Sequence, residues 1–329
     1  MKLTDFDYIL PKELIAQYPL EKRDDARLLV LDRAAGKIGH LVFKNITDYL
    51  KPDDLLVLND TKVLTCRLKG RRLTQGKVEV LLVSRKNSLT FDSLIKPSRV
   101  KVGERVIFNG GKTSAIVTAK NELTFSAQDS DAVYALGVLP LPPYIKREPE
   151  DLDNLYYQTV YAKEAGAVAS PTAGLHFTKQ LIDKIRDSGV NIGYITLHVG
   201  LGTFKPVKAE DITAHKMEKE YFMISEDTRT AVEKTRSAGG RIFAVGTTTC
   251  RTLESYARGI KQGWTDLFIY PGYKFNLVDC VLTNFHLPRT TLFMLVCAFA
   301  GEKLAKKAYQ EAIDKKYRFY SYGDAMLII

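Results

Sequence analysis

Two continuous apolar runs near the start of the chain predict buried strands. They lie at 27–32 (RLLVLD) and 54–58 (DLLVL), and apolar runs of this length are consistent with buried strands. The second run leads into Asn59-Asp60-Thr61, residue types that favour a turn. Pro11, followed by KELIA, predicts the start of a short helix, because the fixed φ of proline fits a first helical turn.

Between about residues 66 and 147 the pattern changes to short, closely spaced runs rich in β-branched and aromatic residues. Asn109-Gly110-Gly111 and Asn121 separate some of these runs, and such residues are typical of hairpin turns. The pattern predicts a small antiparallel barrel or sandwich. The proline-rich stretch 139–145 (LPLPPYI) ends this segment, because clustered prolines exclude helix.

Beyond residue 147, predicted strands and helices alternate. Thr178 is placed to cap a helix whose Leu181, Ile182 and Ile185 share one face, and Ser225 is placed to open another. Predicted strands lie at 190–199, 241–245, 266–270 and 278–282, with further helices at 250–257 and from about 290. Such alternation indicates a largely parallel sheet flanked by helices, and ligands of these sheets gather at the carboxyl ends of the strands.

Composition limits the class of protein. The 329 residues suffice for two domains, and 45% hydrophobic with 26% charged residues is typical of globular proteins. No apolar run reaches the roughly 18 residues that a membrane span needs, and the N-terminal MKLTDFDYIL lacks the apolar core of a secretory signal. The four cysteines form no C-x-x-C pair and no two histidines are spaced i, i+4, so we expect no metal site and a cytoplasmic protein with reduced, buried cysteines.

The positive charge of the chain is concentrated in one segment. Residues 62–112 contain 13 Lys and Arg against three acids, an excess that equals the net charge of +10 for the whole chain. Phosphate backbones attract such surfaces through counterion release, which favours a nucleic-acid partner. A solvated basic face that only confers solubility explains the same charge. The candidates for contacts with RNA phosphates are Lys69, Arg71, Arg72, Arg85 and Lys86.

Four of the five histidines lie in compact segments rich in Gly, Pro, Thr and aromatic residues. Imidazole is readily tuned to move protons near neutral pH, and these neighbours predict shaped loops of the kind that present functional groups. One such segment is most often an ordinary loop, but four in the C-terminal half of the chain favour an enzyme. The segments are 170–177 (SPTAGLHF), 197–207 (LHVGLGTFKPV), 213–221 (TAHKMEKEY) and 282–291 (LTNFHLPRTT).

Two glycine-containing turns follow predicted strands. Gly246 leads into three threonines and Arg251, an arrangement that favours a carboxylate or phosphate at a helix start. A threonine cap beside a surface arginine is the simpler interpretation. Gly200 and Gly202 lack the third glycine of a dinucleotide-binding turn, so they indicate close approach of a ligand or only a tight turn. The full Gly-x-x-x-x-Gly-Lys-Ser/Thr motif is absent, because Gly111-Lys112-Thr113 has Val106 where the first glycine is needed, and this disfavours ATP hydrolysis.

Several of these segments occur together, in the same order, in one known family. The S-adenosylmethionine:tRNA ribosyltransferase-isomerases of queuosine biosynthesis contain segments similar to YQTVYA, GAVASPTAGLHF, LHVGLGTFKPV, HKMEKEY, GTTTCRTLE, DLFIYPGY, LTNFHLPRTTL and YRFYSYGDAM, and to QYPLEKRDDARLLVLD and DDLLVLNDTKVLTCRL nearer the N-terminus. The resemblance covers nearly the whole chain and is poorest in the β-rich segment. Cys250 stands where an apolar residue is usual, and the sequence stops soon after Met326, without the short tail of many members.

The resemblance implies a mixed α/β fold, with a mostly parallel sheet flanked by helices. It implies a larger α/β catalytic domain (residues 1–65 and 148–329) and a small inserted all-β barrel domain (residues 66–147). The implied reaction transfers and isomerises the ribosyl part of S-adenosylmethionine onto 7-aminomethyl-7-deazaguanine at the wobble position of tRNA. The products are epoxyqueuosine-tRNA, adenine and methionine. S-adenosylmethionine is consumed as a co-substrate, no cofactor is expected, and a monomer is usual for the family.

This chemistry requires proton transfer at two places. A base must remove a proton from the carbon beside the sulfonium, and an acid should protonate the departing adenine; separated imidazoles can serve both roles. We therefore expect His176, His198 and His286 to line one reaction centre. The residues expected to bind substrate are Thr172, Gly174, Gly200, Gly202, Glu218, Thr247, Thr248 and Arg251.

Two other functions fit parts of the sequence. A tRNA methyltransferase predicts a glycine-rich loop after the first strand and an acid at the end of the second, and neither feature is clear here. A non-catalytic RNA-binding module explains the basic segment but leaves the four histidine segments without a role. Release of free adenine from S-adenosylmethionine distinguishes the ribosyltransferase from both.

Overall fold

The computed structural model describes residues 1–200, 202 and 207–329. Its strands are β1 (Arg27–Asp32), β2 (Lys37–Val42), β3 (Leu55–Asn59), β4 (Thr61–Val63), β5 (Arg67–Arg72), β6 (Lys77–Arg85), β7 (Thr90–Lys96), β8 (Arg105–Phe108), β9 (Thr113–Ala119), β10 (Glu122–Ser126), β11 (Glu164–Ala167), β12 (Asn191–Leu197), β13 (Glu220–Ile224), β14 (Ile242–Val245), β15 (Gln262–Thr265), β16 (Cys280–Asn284) and β17 (Ala325–Ile328). Its α-helices are α1 (Ser130–Tyr134), α2 (Asp151–Tyr156), α3 (Lys179–Asp187), α4 (Glu226–Ser237), α5 (Thr247–Ala257), α6 (Thr291–Ala300) and α7 (Glu302–Asp314). Short 3-10 helices include Lys12–Leu14, Phe43–Tyr49 and Thr172–His176.

A large mixed sheet forms the centre of the molecule. Nine of the strands assigned within the described ranges follow the order β15-β13-β12-β3-β14-β16-β17-β1-β2. The neighbours β12, β3, β14 and β16 are parallel to one another, and β17 is parallel to β1, whereas the other pairs are antiparallel. The predicted α/β class is confirmed. The sheet is more mixed than expected, because antiparallel strands are added on both sides of the parallel centre.

The two faces of the sheet are covered by different helices. In β1, Leu29 and Leu31 pack into the core on the side of α5, α6 and α7, while Leu28 and Val30 pack on the side of α3. This division follows from the alternation of side chains along a strand. All five residues of β3 are buried, as expected for a strand covered on both faces. The chain therefore leaves β3 deep inside the molecule. The polar residues that follow β3 must pack closely against their neighbours.

Strands β5 to β10 close a separate antiparallel barrel in the order β10-β7-β6-β5-β8-β9. Alternate residues of β6, Val78, Val80 and Leu82, are buried in its core, in accord with the period of two that predicted it. Val168, which follows β11, packs into the same core. The barrel is thus confirmed, and the division of the chain into domains at residues 65/66 and 147/148 stays a prediction.

Helix starts were largely predictable from capping residues. Thr178 caps α3 and Ser225 caps α4, each by accepting a hydrogen bond from a backbone N–H in the first turn. Helix α5 begins at Thr247, before the predicted start at residue 250. The reason is Gly246, whose φ of 92° allows the chain to turn directly from β14 into the helix.

One predicted strand is wrong. Residues 266–270 are irregular, and the ladder is formed instead by β15, just before them. Leu267 and Ile269 are buried in the core on the α5 side, whereas Asp266, Phe268 and Tyr270 are exposed or only partly buried. Alternating burial without a strand partner therefore produced the same sequence pattern as a strand.

Three further observations concern the described part of the chain. None of the helices described is both long and apolar enough to cross a membrane. The four cysteines are unpaired and buried, as predicted. Within residues 1–200, 202 and 207–329, no group of three or more His, Cys, Asp or Glu side chains is arranged to hold a metal ion.

Replacing Gly246 with alanine tests the turn between β14 and α5. Gly246 has φ 92° and ψ 152°, a region nearly exclusive to glycine, and strain there costs about 1–3 kcal/mol. The nearest atom to an added Cβ is 3.6 Å away, so space is sufficient and only the backbone conformation is strained. We expect Gly246→Ala to lower the free energy of unfolding in urea by about 1–3 kcal/mol. Gly39→Ala is the matched control, with ordinary φ and its nearest neighbour at 4.0 Å; equal losses in both variants would contradict the assigned strain.

Candidate active site

The carboxyl ends of four neighbouring parallel strands, β12, β3, β14 and β16, meet at one edge of the sheet. A cavity of about 50 Å³ lies there, where ligands of such sheets are usually bound. We call it the hydroxyl cavity. Its polar lining consists of Tyr144, Tyr157, Ser170, Thr172, Thr247, Thr248, Thr283, Asn284, His286, Tyr320 and Ser321.

The turn from β14 into α5 supplies the threonines of this lining. Thr247 and Thr248 line the cavity, whereas Thr249 turns into the helix, where its Oγ1 donates to the carbonyl of Val245 at 2.7 Å. The amide of Asn59 donates to Thr248 Oγ1 at 3.4 Å. Because the first N–H groups of a helix lack partners within it, the start of α5 offers further donors beside these hydroxyls.

Tyr157 Oη is one of three buried polar lining atoms that have no hydrogen-bond partner in the described structure, and the other two lie on short side chains. They are Ser170 Oγ and Asn284 Oδ1, on side chains that are 5% and 1% exposed. The other end of the Asn284 amide is held, since its Nδ2 donates to the carbonyl of Tyr320 at 3.0 Å. An unpaired buried polar atom costs about 1–3 kcal/mol. These atoms therefore mark the hydroxyl cavity as a place for a polar ligand.

Of the three predicted catalytic histidines, His286 lines the hydroxyl cavity. Its Nε2 lies 2.8 Å from Thr283 Oγ1. Its backbone is fixed from both sides, because the N–H donates to the hydroxyl of Tyr309 and the carbonyl accepts from the hydroxyl of Tyr8. Burial lowers the pKa of His286 to about 3. The ring is therefore neutral at physiological pH and can take part in hydrogen bonding with a ligand.

His176 lies behind the cavity, one hydrogen bond away. Its Nε2 accepts from Asn284 Nδ2 at 3.2 Å, and its ring packs on Phe43 with 4.9 Å between centroids. Burial, together with the charges of Arg23 and Arg318, lowers the pKa of His176 to about 3. The ring borders a neighbouring depression rather than the hydroxyl cavity. In this structure His176 therefore fixes the orientation of Asn284.

His198 lies just after β12 and contacts the short ribbon formed by β4 and β11. Its Nδ1 is 2.8 Å from Thr61 Oγ1. Gly166 makes room for the ring, since a Cβ at that position would lie 2.6 Å from His198 Cε1. Burial lowers the pKa of His198, and the carboxylate of Glu164 opposes this effect. The next residue, Val199, lines the hydroxyl cavity, so His198 adjoins the cavity without forming its wall.

The three predicted histidines thus do not share one wall. His198 and Val199 are consecutive residues at a strand end, and extended backbone directs consecutive side chains to opposite sides. His176 ends a 3-10 helix and is turned into the core on the α3 side. The structure brings these two rings to the surroundings of the hydroxyl cavity and brings only His286, among the three, into contact with it.

A second, larger cavity adjoins the first at Leu292, which lines both. It has a volume of about 600 Å³, and we call it the arginine cavity. The buried guanidinium of Arg251 forms an ion pair with Glu220, and Glu220 also accepts from the backbone N–H of Gly200 at 2.9 Å. Arg251 therefore belongs to this second cavity, whereas Thr247 and Thr248 belong to the first.

Two more of the predicted substrate-binding residues border the arginine cavity. They are Gly202 and Glu218, and a Cβ at Gly202 would lie 2.9 Å from the carboxylate of Glu218. Residues 201 and 203–206 of the predicted glycine-containing turn lie outside the described residues. Gly174 has a different environment, since a Cβ there would lie 2.1 Å from the hydroxyl of Tyr161. In this structure Gly174 allows close packing and does not line the hydroxyl cavity.

The predicted RNA-binding cations form two groups on the barrel. Lys69, Arg71 and Arg72 border a broad cleft of about 1110 Å³, together with Lys77 and Lys96. Within this group, Lys69 pairs with Glu148 at 3.0 Å, and Arg72 pairs with Glu104. The cleft is an open, mainly basic surface on one side of the barrel.

Arg85 and Lys86 lie at the opposite end of β6. Eight residue steps separate Lys77 from Arg85, which is about 26 Å at ~3.3 Å per residue. Arg85 donates to Ser130 Oγ at 2.8 Å, and Lys86 pairs with Asp92 and Glu122. These two cations are therefore engaged within the barrel and do not extend the cleft.

Sequence reasoning did not single out the residues that complete the hydroxyl cavity. Asn284 lies two residues before His286, and Ser321 lies within the noted segment YRFYSYGD. Tyr144 comes from the proline-rich stretch and contributes its ring and hydroxyl to the same wall. Each of these residues was visible in a segment of interest, but its position in the cavity depends on partners more than 30 residues away in the chain.

Comparison with known proteins shows the family of the chain. The model of the family described as "Queuosine biosynthesis protein" matches residues 3–328. The proteins named S-adenosylmethionine:tRNA ribosyltransferase-isomerase from Clostridium kluyveri and Caldanaerobacter subterraneus subsp. tengcongensis are 49% and 51% identical to this chain, with 100% of each chain covered. A crystal structure of S-adenosylmethionine tRNA ribosyltransferase from Thermotoga maritima is 39% identical, with 99% of this chain and 100% of that one covered and a TM-score of 0.58.

The matched segment includes all four histidine segments, both cavities and the barrel. Identity near one half along whole chains is far above what a shared fold alone requires. The chain therefore belongs to the queuosine biosynthesis protein family.

Proposed function

We propose that this chain is an S-adenosylmethionine:tRNA ribosyltransferase-isomerase. It transfers and isomerises the ribosyl moiety of S-adenosylmethionine onto 7-aminomethyl-7-deazaguanine at the tRNA wobble position, giving epoxyqueuosine-tRNA, adenine and methionine. The observation that carries the proposal is the shared name of relatives that are 49% and 51% identical to this chain along its whole length. We further propose that S-adenosylmethionine is consumed, that no further cofactor takes part, and that the enzyme is a cytoplasmic monomer.

The hydroxyl cavity suits the reacting end of such a pair of substrates. Its hydroxyls, the start of α5 and the neutral ring of His286 offer several hydrogen-bonding groups. Its volume of about 50 Å³ holds one small polar group and not a nucleoside, since pockets for drug-sized ligands measure about 300–1,000 Å³. We assign Thr172, Thr247, Thr248 and His286 to binding at this point.

His198 is our candidate for the group that transfers protons. It is less buried than His176 and His286, and the Glu164 carboxylate favours its charged form. The hydrogen bond between Nδ1 and Thr61 fixes the ring, which leaves Nε2 for exchange of a proton. A fixed imidazole whose charged form has a nearby counter-charge meets the electrostatic requirement for general acid–base catalysis, and the neighbouring Val199 lines the hydroxyl cavity.

The basic cleft is our candidate for the tRNA-binding surface. It is formed by the barrel segment, residues 66–147, which we treat as an inserted domain. Lys69, Arg71 and Arg72 contribute to it directly. Arg85 and Lys86, which are paired within the barrel at the far end of β6, would contact only a more distant part of the RNA.

The activity is tested by incubating the protein with S-adenosylmethionine and tRNA that carries 7-aminomethyl-7-deazaguanine. We expect free adenine in equal molar amount to the modified tRNA, and a gain in mass of the wobble nucleoside that matches epoxyqueuosine. Adenine is measured by liquid chromatography and the nucleoside by mass spectrometry. Transfer of a labelled methyl group without adenine release would indicate a methyltransferase, and RNA binding without any reaction would indicate a binding module.

Alanine substitution of each histidine tests the proposed roles. We expect His198→Ala to lower the rate of adenine release by about 10²–10⁴-fold, the usual contribution of acid–base catalysis. His286→Ala and His176→Ala should also lower the rate, because they alter the cavity wall or release Asn284. His40→Gln is the matched control, since His40 pairs with Glu311 at 2.9 Å, away from both cavities. With folding confirmed by circular dichroism, normal turnover in all three alanine variants would refute the assignment.

Neutralising three cations of the basic cleft tests the RNA surface. We expect Lys69→Gln, Arg71→Gln and Lys77→Gln together to weaken tRNA binding. The slope of log K against log salt should become shallower by about 0.7–0.9 for each lost phosphate contact. The control changes the net charge equally by replacing Lys303, Lys307 and Lys315 of α7 and its end with glutamine. Equal salt slopes for the two triple variants would exclude the cleft.

A further inference from the structure

The arginine cavity contains a buried cation that its protein neighbours satisfy only in part. Arg251 is 6% exposed. Its Nε donates to the carbonyl of Leu267 at 3.0 Å, and its Nη1 donates to the carboxylate of Glu220. Its Nη2 is buried and has no hydrogen-bond partner among the residues that the structure describes. A guanidinium with one edge unused is suited to bind a carboxylate, because its donors form a planar fork that matches two oxygens.

Acidic groups lie close to the same guanidinium. Glu218 and Glu220 both line the cavity, and Glu220 is tied to Arg251 and to the backbone of Gly200. A cation and carboxylates in one cavity complement the carboxylate and the ammonium of a free amino acid. The same carboxylates favour a sulfonium, which carries a positive charge on a group that cannot donate a hydrogen bond.

Much of the remaining lining is apolar and includes an aromatic wall, and its polar members include Lys208, His215 and Lys216. Phe268 is partly exposed there, and His215 packs edge-on against it with 5.3 Å between ring centroids. A flat heteroaromatic base is bound by stacking and burial in such a site. The volume of about 600 Å³ lies within the range of pockets for small ligands. The larger apolar side chains of the lining are Met217, Leu267, Phe268, Ile269, Leu292 and Leu295.

The arginine cavity is also placed next to the reacting point. Leu292 lines both cavities. Val199 borders the hydroxyl cavity, and the next residue, Gly200, donates its N–H to Glu220 of the arginine cavity. A nucleoside in the larger cavity therefore has a short path to the hydroxyls of the smaller one.

We propose that the arginine cavity is the binding site for the adenosyl amino acid, with Nη2 of Arg251 binding the substrate carboxylate and the Phe268 wall holding the adenine. This inference rests on the proposed function, and it assigns to one cavity the substrate that the function requires. It also gives Arg251 a role different from that of Thr247 and Thr248. The three residues are close in the sequence, but the threonines act at the neighbouring cavity.

Calorimetric titration of the full chain with S-adenosylhomocysteine tests the assignment. This ligand keeps the adenosine and the amino acid but lacks the sulfonium, so it cannot react. Ala209 borders the cavity, and we expect Ala209→Trp to fill it and to weaken binding at least tenfold, both with and without an anticodon stem–loop RNA. Ala35→Trp, in the exposed turn between β1 and β2, is the control and should bind within twofold of the unaltered protein. Binding to Ala209→Trp as tight as to the control would overturn the proposal.

A second variant tests the carboxylate contact itself. We expect Arg251→Lys to weaken S-adenosylhomocysteine at least tenfold and to leave adenosine, which has no carboxylate, within threefold. Equal losses for the two ligands would show that Arg251 acts only on the structure of the cavity, which contradicts the proposed contact. If Arg251→Lys unfolds, Ala209→Trp still decides the location of the site.

The failure of this inference is distinguishable from failure of the proposed function. Adenine release that is unaffected by Ala209→Trp would keep the function and reject the cavity. Tight S-adenosylhomocysteine binding that Ala209→Trp abolishes, in a protein that leaves precursor tRNA unmodified, would keep the cavity and reject the function.

Discussion

The amide of Asn59 connects the elements that build the site. It is the last residue of β3 and is 1% exposed. Its Oδ1 accepts from the backbone N–H groups of Thr61 and Leu197, and its Nδ2 donates to the carbonyl of Leu197 and to Thr248 Oγ1. One buried side chain therefore holds together the ends of β3 and β12, the start of β4 and the first turn of α5. No apolar residue can replace these bonds, so the two cavities depend on this amide for their relative placement.

The buried groups of the site are neutral in one cavity and charged in the other. The low pKa values of His176 and His286 follow from burial and keep both rings uncharged. Arg251 is equally buried and forms an ion pair with Glu220, and a buried ion pair that loses one partner is strongly destabilised. The hydroxyl cavity is thus a neutral, hydrogen-bonding environment, and the arginine cavity is a charged one. A substrate with an uncharged ribose and a charged amino acid matches this division.

The features that were predicted correctly from the sequence depend on residues that are close together in the chain. The cap at Thr178 and the alternation within the barrel are local patterns, and both were found where expected. The irregular stretch around Leu267 and Ile269 was mistaken for a strand, since burial on one side gives the same period as a ladder. The separation of Arg251 from the threonines was not predictable, because it depends on Glu220, a residue of a different strand. The sequence therefore predicted the capping residues and the types of residue in the site. The direction of each functional side chain depends on residues that are distant in the chain, and it could not be predicted.

The ribbon of β4 and β11 gives the barrel a direct connection to the site. The two strands pair in parallel between Thr61 and Glu164, and the chain enters the barrel at Arg67, which bridges to Val138 on its return. His198 touches this ribbon on both strands, through a hydrogen bond to Thr61 and through contact with Gly166. Strand β4 therefore contacts His198 and leads through residues 64–66 into the barrel. Since His198 is held by the ribbon and not by a cavity wall, it is the imidazole whose position depends most directly on how the barrel is seated.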